Sequence, residues 1–140
     1  MMSNVDGARL RELRNKIIAG RTVADWDEDW EAVTDWRTAD TPALRAARGL
    51  VRFTWNGEVV AILRASDNQR GIVKKFSDYI RPSDSSRDHP VGRRIYEHRA
   101  ELTAHILVTG ENKDMERVNI DLKWAMVELY RPTWMISKRM

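Results

Sequence analysis

Residues 51–62 read VRFTWNGEVVAI, and this stretch decides the fold. Two runs rich in β-branched and aromatic residues flank the pair Asn56-Gly57. The pair favours a type I′ turn, because both central positions of that turn need a positive φ, which Asn and Gly tolerate. The stretch therefore predicts an antiparallel hairpin, with strands at residues 50–55 and 58–63.

Beyond the hairpin, the chain predicts a small domain in which helices cover a sheet. Periodicity and turn residues mark the remaining elements, with Pro90 near the start of one helix and Pro132 at the end of another. The predicted elements in chain order are a helix at 71–79, a polar loop at 81–90, a helix at 91–102, a strand at 104–109 and a helix at 114–130. The order β-β-α-α-β-α indicates an α+β fold with a small three-stranded mixed sheet flanked by helices.

Residues 1–47 differ from this core and predict a helical N-terminal arm. Leu10, Leu13 and Ile17 share one helical stripe within residues 8–19, and Gly20 follows as a stop signal. We therefore divide the chain into an arm, residues 1–47, and a core domain, residues 48–140.

The second part of the arm is acidic and rich in tryptophan. Trp26, Trp30 and Val33 repeat at helical spacing, and Thr41-Pro42 has the pattern of an N-cap followed by proline at the first helical position. Aromatic side chains are good interface anchors, so three tryptophans are the candidate partner-binding residues: Trp26, Trp30 and Trp36. The alternative is that they pack inside the chain.

Charge is distributed unevenly along the chain, whose net charge is +3. Residues 22–41 hold seven acidic residues and one basic residue, whereas residues 64–99 hold nine basic and five acidic residues. Such a split favours a polyanion as partner for the second half. The alternative is a solvated surface of mixed charge.

Composition narrows the class of protein. The chain has 140 residues, enough for one domain with a buried core, and it has no cysteine. Disulfides and thiolate metal sites are therefore excluded. No apolar run has the length of a membrane span and no leader pattern is present, so we expect a cytoplasmic protein without a membrane partner.

Four blocks of sequence resemble the GIY-YIG nuclease superfamily, over roughly residues 48–139. The tripeptides at 49–51 and 61–63 are separated by nine residues across a short turn, as in the small phage endonuclease II type. Residues 72–80 resemble the family helix that carries the catalytic arginine. Residues 121–135 resemble its glutamate helix and closing Pro-x-x-Asn. The resemblance implies a nuclease-related domain of a phage or mobile element.

By this resemblance, the positions of the family's catalytic groups hold other residues here. Tyrosines are replaced by Val51 and Ala61, the arginine by Lys75, the metal-binding glutamate by Lys123 and the terminal asparagine by Met135. Divalent cations of this class need oxygen ligands, and an ammonium group repels them. The resemblance thus predicts a pseudo-nuclease with no catalytic residue, metal or cofactor at these positions.

An ammonium group at the metal position could itself contact a phosphate oxygen. The alternative for Lys123 is a side chain that lies along its own helix. Phosphate contacts come mostly from Arg and Lys, so the candidate nucleic-acid-binding residues are Arg64, Ser66, Lys74, Lys75, Arg81, Arg87, Arg93, Arg94 and Lys123.

The histidines and Glu128 could in principle bind a metal or act in catalysis, but structural roles explain them as well. His89, His98 and His105 do not share metal-ligand spacing, and we expect His98 to be a hydrogen-bonded core residue. Glu128 could replace the missing acid, but it stands five positions after Lys123 and faces elsewhere on the helix.

Three functions remain open from the sequence. The first is DNA binding without cleavage. The second is a protein-interaction module, as an inhibitor, a subunit of an active nuclease or a homo-oligomer. The third is a divergent metal-dependent endonuclease with a rebuilt site.

Overall fold

The computed structural model describes residues 4–111 and 113–135. Its elements, in chain order, are α1 (Asn4–Asn15), β1 (Ile17–Ile18), β2 (Arg21–Thr22), α2 (Val23–Asp27), β3 (Glu31–Val33), α3 (Pro42–Ala46), β4 (Arg48–Trp55), β5 (Glu58–Ala65), α4 (Gly71–Ile80), α5 (Asp84–Asp88), α6 (Pro90–Glu97), β6 (Thr103–Gly110), a 3-10 turn (Lys113–Met115) and α7 (Glu116–Tyr130). The fold is α+β, as predicted. None of the described helices is both long and apolar enough to cross a membrane.

The predicted hairpin is confirmed. Strands β4 and β5 pair antiparallel, with Trp55 opposite Glu58, and Asn56 and Gly57 adopt φ values of 52° and 79°. Strand β6 pairs antiparallel with the other side of β4, so β4 is central. The helix predicted at 71–79 corresponds to α4, and the long C-terminal helix corresponds to α7.

The prediction of a three-stranded mixed sheet is wrong in two respects. The main sheet has four strands in the order β3-β6-β4-β5, and all its described pairings are antiparallel. The fourth strand comes from the arm, where Glu31 lies opposite Ile106 and Val33 lies opposite Ala104. The open edge of β6 therefore determines the structure of these residues.

The arm is also less helical than predicted. Helix α1 ends at Asn15, and Ile17–Ile18 pairs with Arg21–Thr22 around Ala19 and Gly20, which adopt φ values of 51° and 79°. The helix predicted through Trp26, Trp30 and Val33 stops at Asp27. The N-cap predicted at Thr41 is confirmed, because its hydroxyl accepts a hydrogen bond from the Leu44 amide at 3.2 Å.

The loop between α4 and β6 also differs from its prediction. Residues 84–88, predicted as loop, form α5, which begins with a capping box at Ser83. The helix predicted over 91–102 spans Pro90–Glu97, with His98 as its C-cap. It therefore ends before Leu102, the last residue of the predicted range. Close contact between α5 and α6 explains this arrangement, since a Cβ on Gly92 would lie 1.8 Å from the Ser85 carbonyl oxygen.

The sheet separates two apolar clusters. Val51, Phe53 and Ala61 face α4 and α6, while Leu50 and Ile62 face α2 and α7. Both faces of the central strands are therefore covered by helices, as expected for strands with near-continuous apolar sequence. The division of the chain at residue 47 stays a prediction; residues 1–3 and 136–140 of its two units lie outside the described residues.

Candidate nucleic-acid interface

A polar recess of about 290 Å³ opens where β5 ends, between the start of α4 and the start of α7. Three segments form it: the end of β5 with the following loop, one face of α4, and the first turn of α7. Its lining residues are Arg64, Ala65, Ser66, Asp67, Gly71, Lys74, Lys75, Asp78 and Glu116. Four of the nine predicted nucleic-acid-binding residues thus line one recess. Lys123 is not part of the lining, but it stands seven residues after Glu116 on α7 and so lies on the same helix face, about two turns further along.

The packing of each element brings these cations to the recess. On β5, Ala65 is buried against α4, so the alternating Arg64 side chain turns toward α7. On α4, the buried stripe of Ile72 and Phe76 fixes the helix, and Lys74 and Lys75 fall on the face that borders the recess. Lys75 remains 24% exposed, so its ammonium group is partly removed from water.

Three carboxylates line the recess beside the three lining cations, namely Asp67, Asp78 and Glu116, so the excess positive charge of this region comes from Lys123 on α7. Asp78 binds Lys74 directly and lies 3.8 Å from the Nζ of Lys75. Glu116 lies 3.7 Å from the guanidinium of Arg64. The pair Arg64–Glu116 is largely solvated, and such pairs contribute little to stability. The recess therefore has room for an additional anion without breaking a strong internal ion pair.

The electrostatics of the recess disfavour its own lysine charges. Burial lowers the pKa of Lys75; the Asp78 charge opposes this, and the charges of Lys74, Arg64 and Lys123 reinforce it. Burial also lowers the pKa of Lys123, and the Arg64 charge adds to the effect. Because like charges and desolvation both disfavour the protonated lysines, a bound anion would stabilise them.

The loop that borders the recess is held by a residue which the sequence analysis missed. The buried guanidinium of Arg48 donates to three backbone carbonyls, those of Ala46 at 2.7 Å, Glu111 at 2.8 Å and Asn68 at 2.5 Å. It therefore connects the segments before β4, after β5 and after β6. An arginine in a strand usually predicts a solvated side chain. The only sequence signal for Arg48 is its position directly before the tripeptide at 49–51.

The turn into α4 is fixed by Asp67 and Gly71. The Asp67 carboxylate accepts hydrogen bonds from the amides of Arg70 at 2.8 Å and Gln69 at 3.1 Å, which lower the pKa of Asp67. Gly71 adopts a φ of 51°, and a Cβ there would lie 2.2 Å from the Ala47 carbonyl oxygen. This close approach places the first turn of α4 against the C-terminal end of α3.

Ser66 is positioned by buried polar groups behind the recess. The fully buried Asn119 on α7 contacts the hydroxyl of Ser66 at 3.5 Å, and its side-chain oxygen accepts a hydrogen bond from Thr109. The Arg48 carbonyl oxygen, 3.2 Å from the Thr109 hydroxyl, is the second acceptor within reach of that hydroxyl's single proton. The network ties β6 and α7 to the loop that carries Ser66.

The other three positions that the resemblance matches to catalytic groups lie away from the recess. Val51 and Ala61 are fully buried in the apolar cluster under α4, and Met135 packs against the same cluster. The Met135 sulfur accepts a hydrogen bond from the Ile62 amide at 3.2 Å. Of the five positions that the resemblance matches to catalytic groups, Lys75 therefore lines the recess, and Lys123 lies on the neighbouring face of α7.

The remaining predicted arginines are not gathered at this recess. Arg81 lines a second recess of about 310 Å³ on the opposite face of α4, together with Arg37, Arg45 and Arg70. Arg87, Arg93 and Arg94 are exposed on α5 and α6. Arg87 lies 3.4 Å from Asp84, and Arg93 donates to the Arg87 carbonyl at 3.1 Å.

The three predicted partner-binding tryptophans make contacts inside the chain. Trp36 is 3% exposed, donates to the Leu102 carbonyl at 3.1 Å and packs edge-on against Phe53. Trp26 is buried and donates to the Ile18 carbonyl at 2.8 Å. Trp30 is half-buried, with the guanidinium of Arg52 4.7 Å from its ring centroid. The arm thus packs on the α7 face and along the β6 edge.

The residues considered as replacements for a catalytic acid lie elsewhere. The half-buried His98 ring contacts the rings of Trp55 and Trp134 at a tilt, with centroid distances of 4.6 and 5.4 Å, and its Nδ1 lies 3.6 Å from Glu101. Its Nδ1 has no hydrogen-bond partner, so the prediction of a hydrogen-bonded core residue does not describe it. Glu128 is exposed on α7. Within residues 4–111 and 113–135, no group of three His, Asp or Glu side chains is placed to hold a metal ion.

Comparison with protein-family models, with curated protein sequences and with solved structures gives no match for this chain. The geometry of the site therefore carries the functional argument by itself.

Proposed function

We propose that this chain is a nucleic-acid-binding domain, related in fold to the GIY-YIG nucleases, that binds DNA without cleaving it. The observation that carries the proposal is the convergence of Arg64, Lys74 and Lys75 at one recess, from one strand and one helix, with Lys123 on the neighbouring helix α7.

Charge and shape both favour a phosphate in the recess. Arg64 of β5 and two lysines of α4 line the recess, and together with Lys123 of α7 they exceed its three carboxylates by one charge. The shared lowering of the lysine pKa values supports an anionic occupant, because bound phosphate would reverse the repulsion among the cations. Contacts of this kind position a nucleic acid and contribute affinity with little dependence on sequence.

The identity of the residues at the positions that the resemblance matches to catalytic groups supports binding without cleavage. Val51 and Ala61 are apolar and buried, so neither can act on an attacking water. Lys75 and Lys123 offer ammonium groups, which bind phosphate oxygens but cannot ligate a hard divalent cation while protonated. The chemistry of the recess is thus that of a phosphate clamp.

A second candidate function, protein interaction, has one observation in its favour. An acidic groove of about 340 Å³ runs beside exposed Val108 and is lined by Glu28, Asp29, Trp30 and Glu31. A basic segment of a partner protein would complement it. This site is separate from the basic recess, so the two functions make different predictions for the same variants.

The proposed function is tested by titrating a fluorescent DNA duplex against the wild-type protein and a Lys123→Glu variant. We expect the variant to bind at least about tenfold more weakly, because it places a carboxylate beside the phosphate and removes a cation. Arg99→Glu makes the same change in net charge beside His98, at the end of β4 opposite the recess, and should leave affinity nearly unchanged.

Failure of wild-type protein to bind duplex at about 50 mM salt would remove the proposed function and leave protein interaction as the better candidate. Equal weakening by Lys123→Glu and Arg99→Glu would show a general charge effect and not a site. Cleavage of DNA in Mg²⁺ or Mn²⁺ by the wild-type protein would instead support the endonuclease alternative, especially if Glu128→Ala abolished it.

A further inference from the structure

Trp124 on α7 is exposed in a way that the fold does not explain. Trp124 is 57% exposed, whereas every other Trp, Tyr and Phe in the part of the chain that the structure describes is buried or half-buried. Leu122 and Met126 form the stripe of α7 that packs on the sheet, and Trp124 lies roughly 200° around the helix from Leu122. Packing of α7 therefore gives no reason for a tryptophan here.

The position of Trp124 relative to the basic recess suggests a reason. The Nζ of Lys123 lies 4.7 Å from the centroid of the Trp124 ring. Lys123 stands seven residues after Glu116 of the recess lining, so both lie on one face of α7, about two turns apart. Trp124 therefore lies next to the helix face that leads to the recess. The residue is 57% exposed even with the Lys123 ammonium over its ring, so part of the ring is available to a ligand.

A phosphate clamp beside an exposed indole is the combination that binds unpaired nucleotides. Cations hold the backbone while a base stacks on the aromatic ring, and such stacking accepts any base because every base has a π-face. In an intact duplex the bases are stacked on each other and are not available to a side chain. A phosphate clamp without an aromatic neighbour would bind both forms by charge alone.

We propose that Trp124 is a stacking platform for one unpaired base, and that the basic recess binds single-stranded DNA in preference to duplex. The inference rests on the proposed function and specifies its ligand. Arg64 and Lys75 hold successive backbone phosphates at the recess, and the strand continues across Lys123 onto the Trp124 ring.

The test uses three labelled probes of equal length: oligothymidylate, a duplex and an oligomer of abasic sites. The abasic oligomer keeps the phosphates but has no bases, so it isolates stacking from charge. We expect wild-type protein to bind oligothymidylate more tightly than the abasic oligomer by about 5–100-fold, the usual contribution of one stacked base. Trp124→Ala should remove this difference, and Trp124→Phe should restore part of it.

Val108→Ala is the matched control, because Val108 is also exposed but lines the acidic groove. It should leave all three affinities unchanged. Binding of oligothymidylate should also quench tryptophan emission in wild-type protein, and most of that quenching should be absent in Trp124→Phe.

The outcomes separate the inference from the proposed function. If wild-type protein binds all three probes equally and Trp124→Ala changes none of them, DNA binding stands and the stacking platform is overturned. If wild-type protein binds no probe, both are overturned. If Trp124→Ala instead converts a dimer to a monomer in sedimentation and leaves DNA binding intact, the ring is a contact between two copies of the chain, and the stacking proposal is overturned.

Discussion

The carboxylate of Asp78 lies 3.8 Å from the ammonium group of Lys75, and it is shared with Lys74, which it binds directly. All three residues lie on one face of α4, and Asp78 is buried. Within α4, one carboxylate is therefore shared by two lysines that line the recess. The two partners of this contact should respond to mutation in opposite ways.

Lys75→Met should stabilise the protein while weakening its binding to DNA. Burial and neighbouring cations disfavour the lysine charge, and methionine has a similar length without a charge to desolvate. Removal of a poorly compensated charge should raise stability by about 0.5–2 kcal/mol, measured by chemical denaturation. Duplex affinity should fall at least about fivefold in the same variant. A destabilised variant would show that Lys75 is a structural residue.

Asp78→Asn should have the reverse effect. The buried carboxylate holds Lys74 and Lys75, and its loss leaves two cations without a counter-ion, which costs about 1–3 kcal/mol. Duplex affinity should be unchanged or higher, because a negative charge leaves the phosphate site. Thermal melting and anisotropy on the same preparation measure both quantities. Weaker DNA binding by this variant in its folded state would contradict the assignment of the recess as a phosphate site.

Arg48→Lys should destabilise the protein by about 2–4 kcal/mol, although the charge is kept. The planar guanidinium reaches three carbonyls in different segments, and an ammonium group cannot reproduce that geometry. Arg9→Lys, on the exposed side of α1, makes the same chemical change and should be neutral. Urea denaturation of the two variants gives the comparison, and equal stability would mean that the three hydrogen bonds contribute little.

DNA affinity should decrease as pH rises through the alkaline range below 10.5. The pKa values of Lys75 and Lys123 lie below that ordinary value in the free protein, so both lysines lose their protons earlier than exposed lysines. Phosphate binds the protonated forms, so binding raises both pKa values and takes up protons. Titration in buffers of different ionisation enthalpy measures this uptake. Its absence, or its persistence in a Lys75→Met/Lys123→Met double variant, would contradict the assignment.

Folding stability should follow the opposite trend for the same two groups. A lysine with a lowered pKa in the folded state costs stability at neutral pH, where it is protonated in both states. This cost is relieved as pH rises through the lowered pKa toward 10.5, because the unfolded chain then binds more protons. Burial raises the pKa of Tyr130 to about 12, so ionisation of Tyr130 lowers the stability of the protein only above about pH 10. The pH range in which the lysine cost is relieved lies mostly below that. The difference in stability between wild type and Lys75→Met, measured against pH, should shrink across that window.

Salt should weaken duplex binding steeply. Four cations at the recess imply a slope near −0.9 per phosphate contact, and therefore a loss of about two decades of affinity between about 50 and 200 mM salt. Lys123→Glu should flatten this slope as well as lower the affinity. A salt-independent affinity would mean that the chain binds DNA in another way.

Local signals were sufficient for the central elements of the fold. The Asn56-Gly57 turn fixes β4 and β5 through backbone geometry, and the apolar stripe that includes Leu122 and Met126 predicts α7. Residues 31–33 carried no such signal, because their structure depends on the open edge of β6, which is distant in sequence. Short segments of this kind take the structure that their tertiary partner provides.

The site was predictable only in part for a similar reason. The sequence named Arg64 and Lys75 as candidate phosphate contacts, and both line one recess of the structure. It could not place Arg81, because the face of α4 on which a residue falls depends on packing. Trp124 escaped notice because a tryptophan in a helix is usually buried, and its exposure depends on which stripe of α7 meets the sheet.

The segment after α7 has a consequence for how the protein behaves at high concentration. The amides of Thr133 and Trp134 donate to the carbonyls of Val59 and Val60, and so occupy part of the outer edge of β5. Unpaired edge strands are templates for pairing with another molecule, and apolar ones such as β5 promote aggregation. This segment therefore protects the edge of β5 from pairing with a second molecule. If its backbone hydrogen bonds were lost, we expect self-association of the protein before any change in its affinity for DNA.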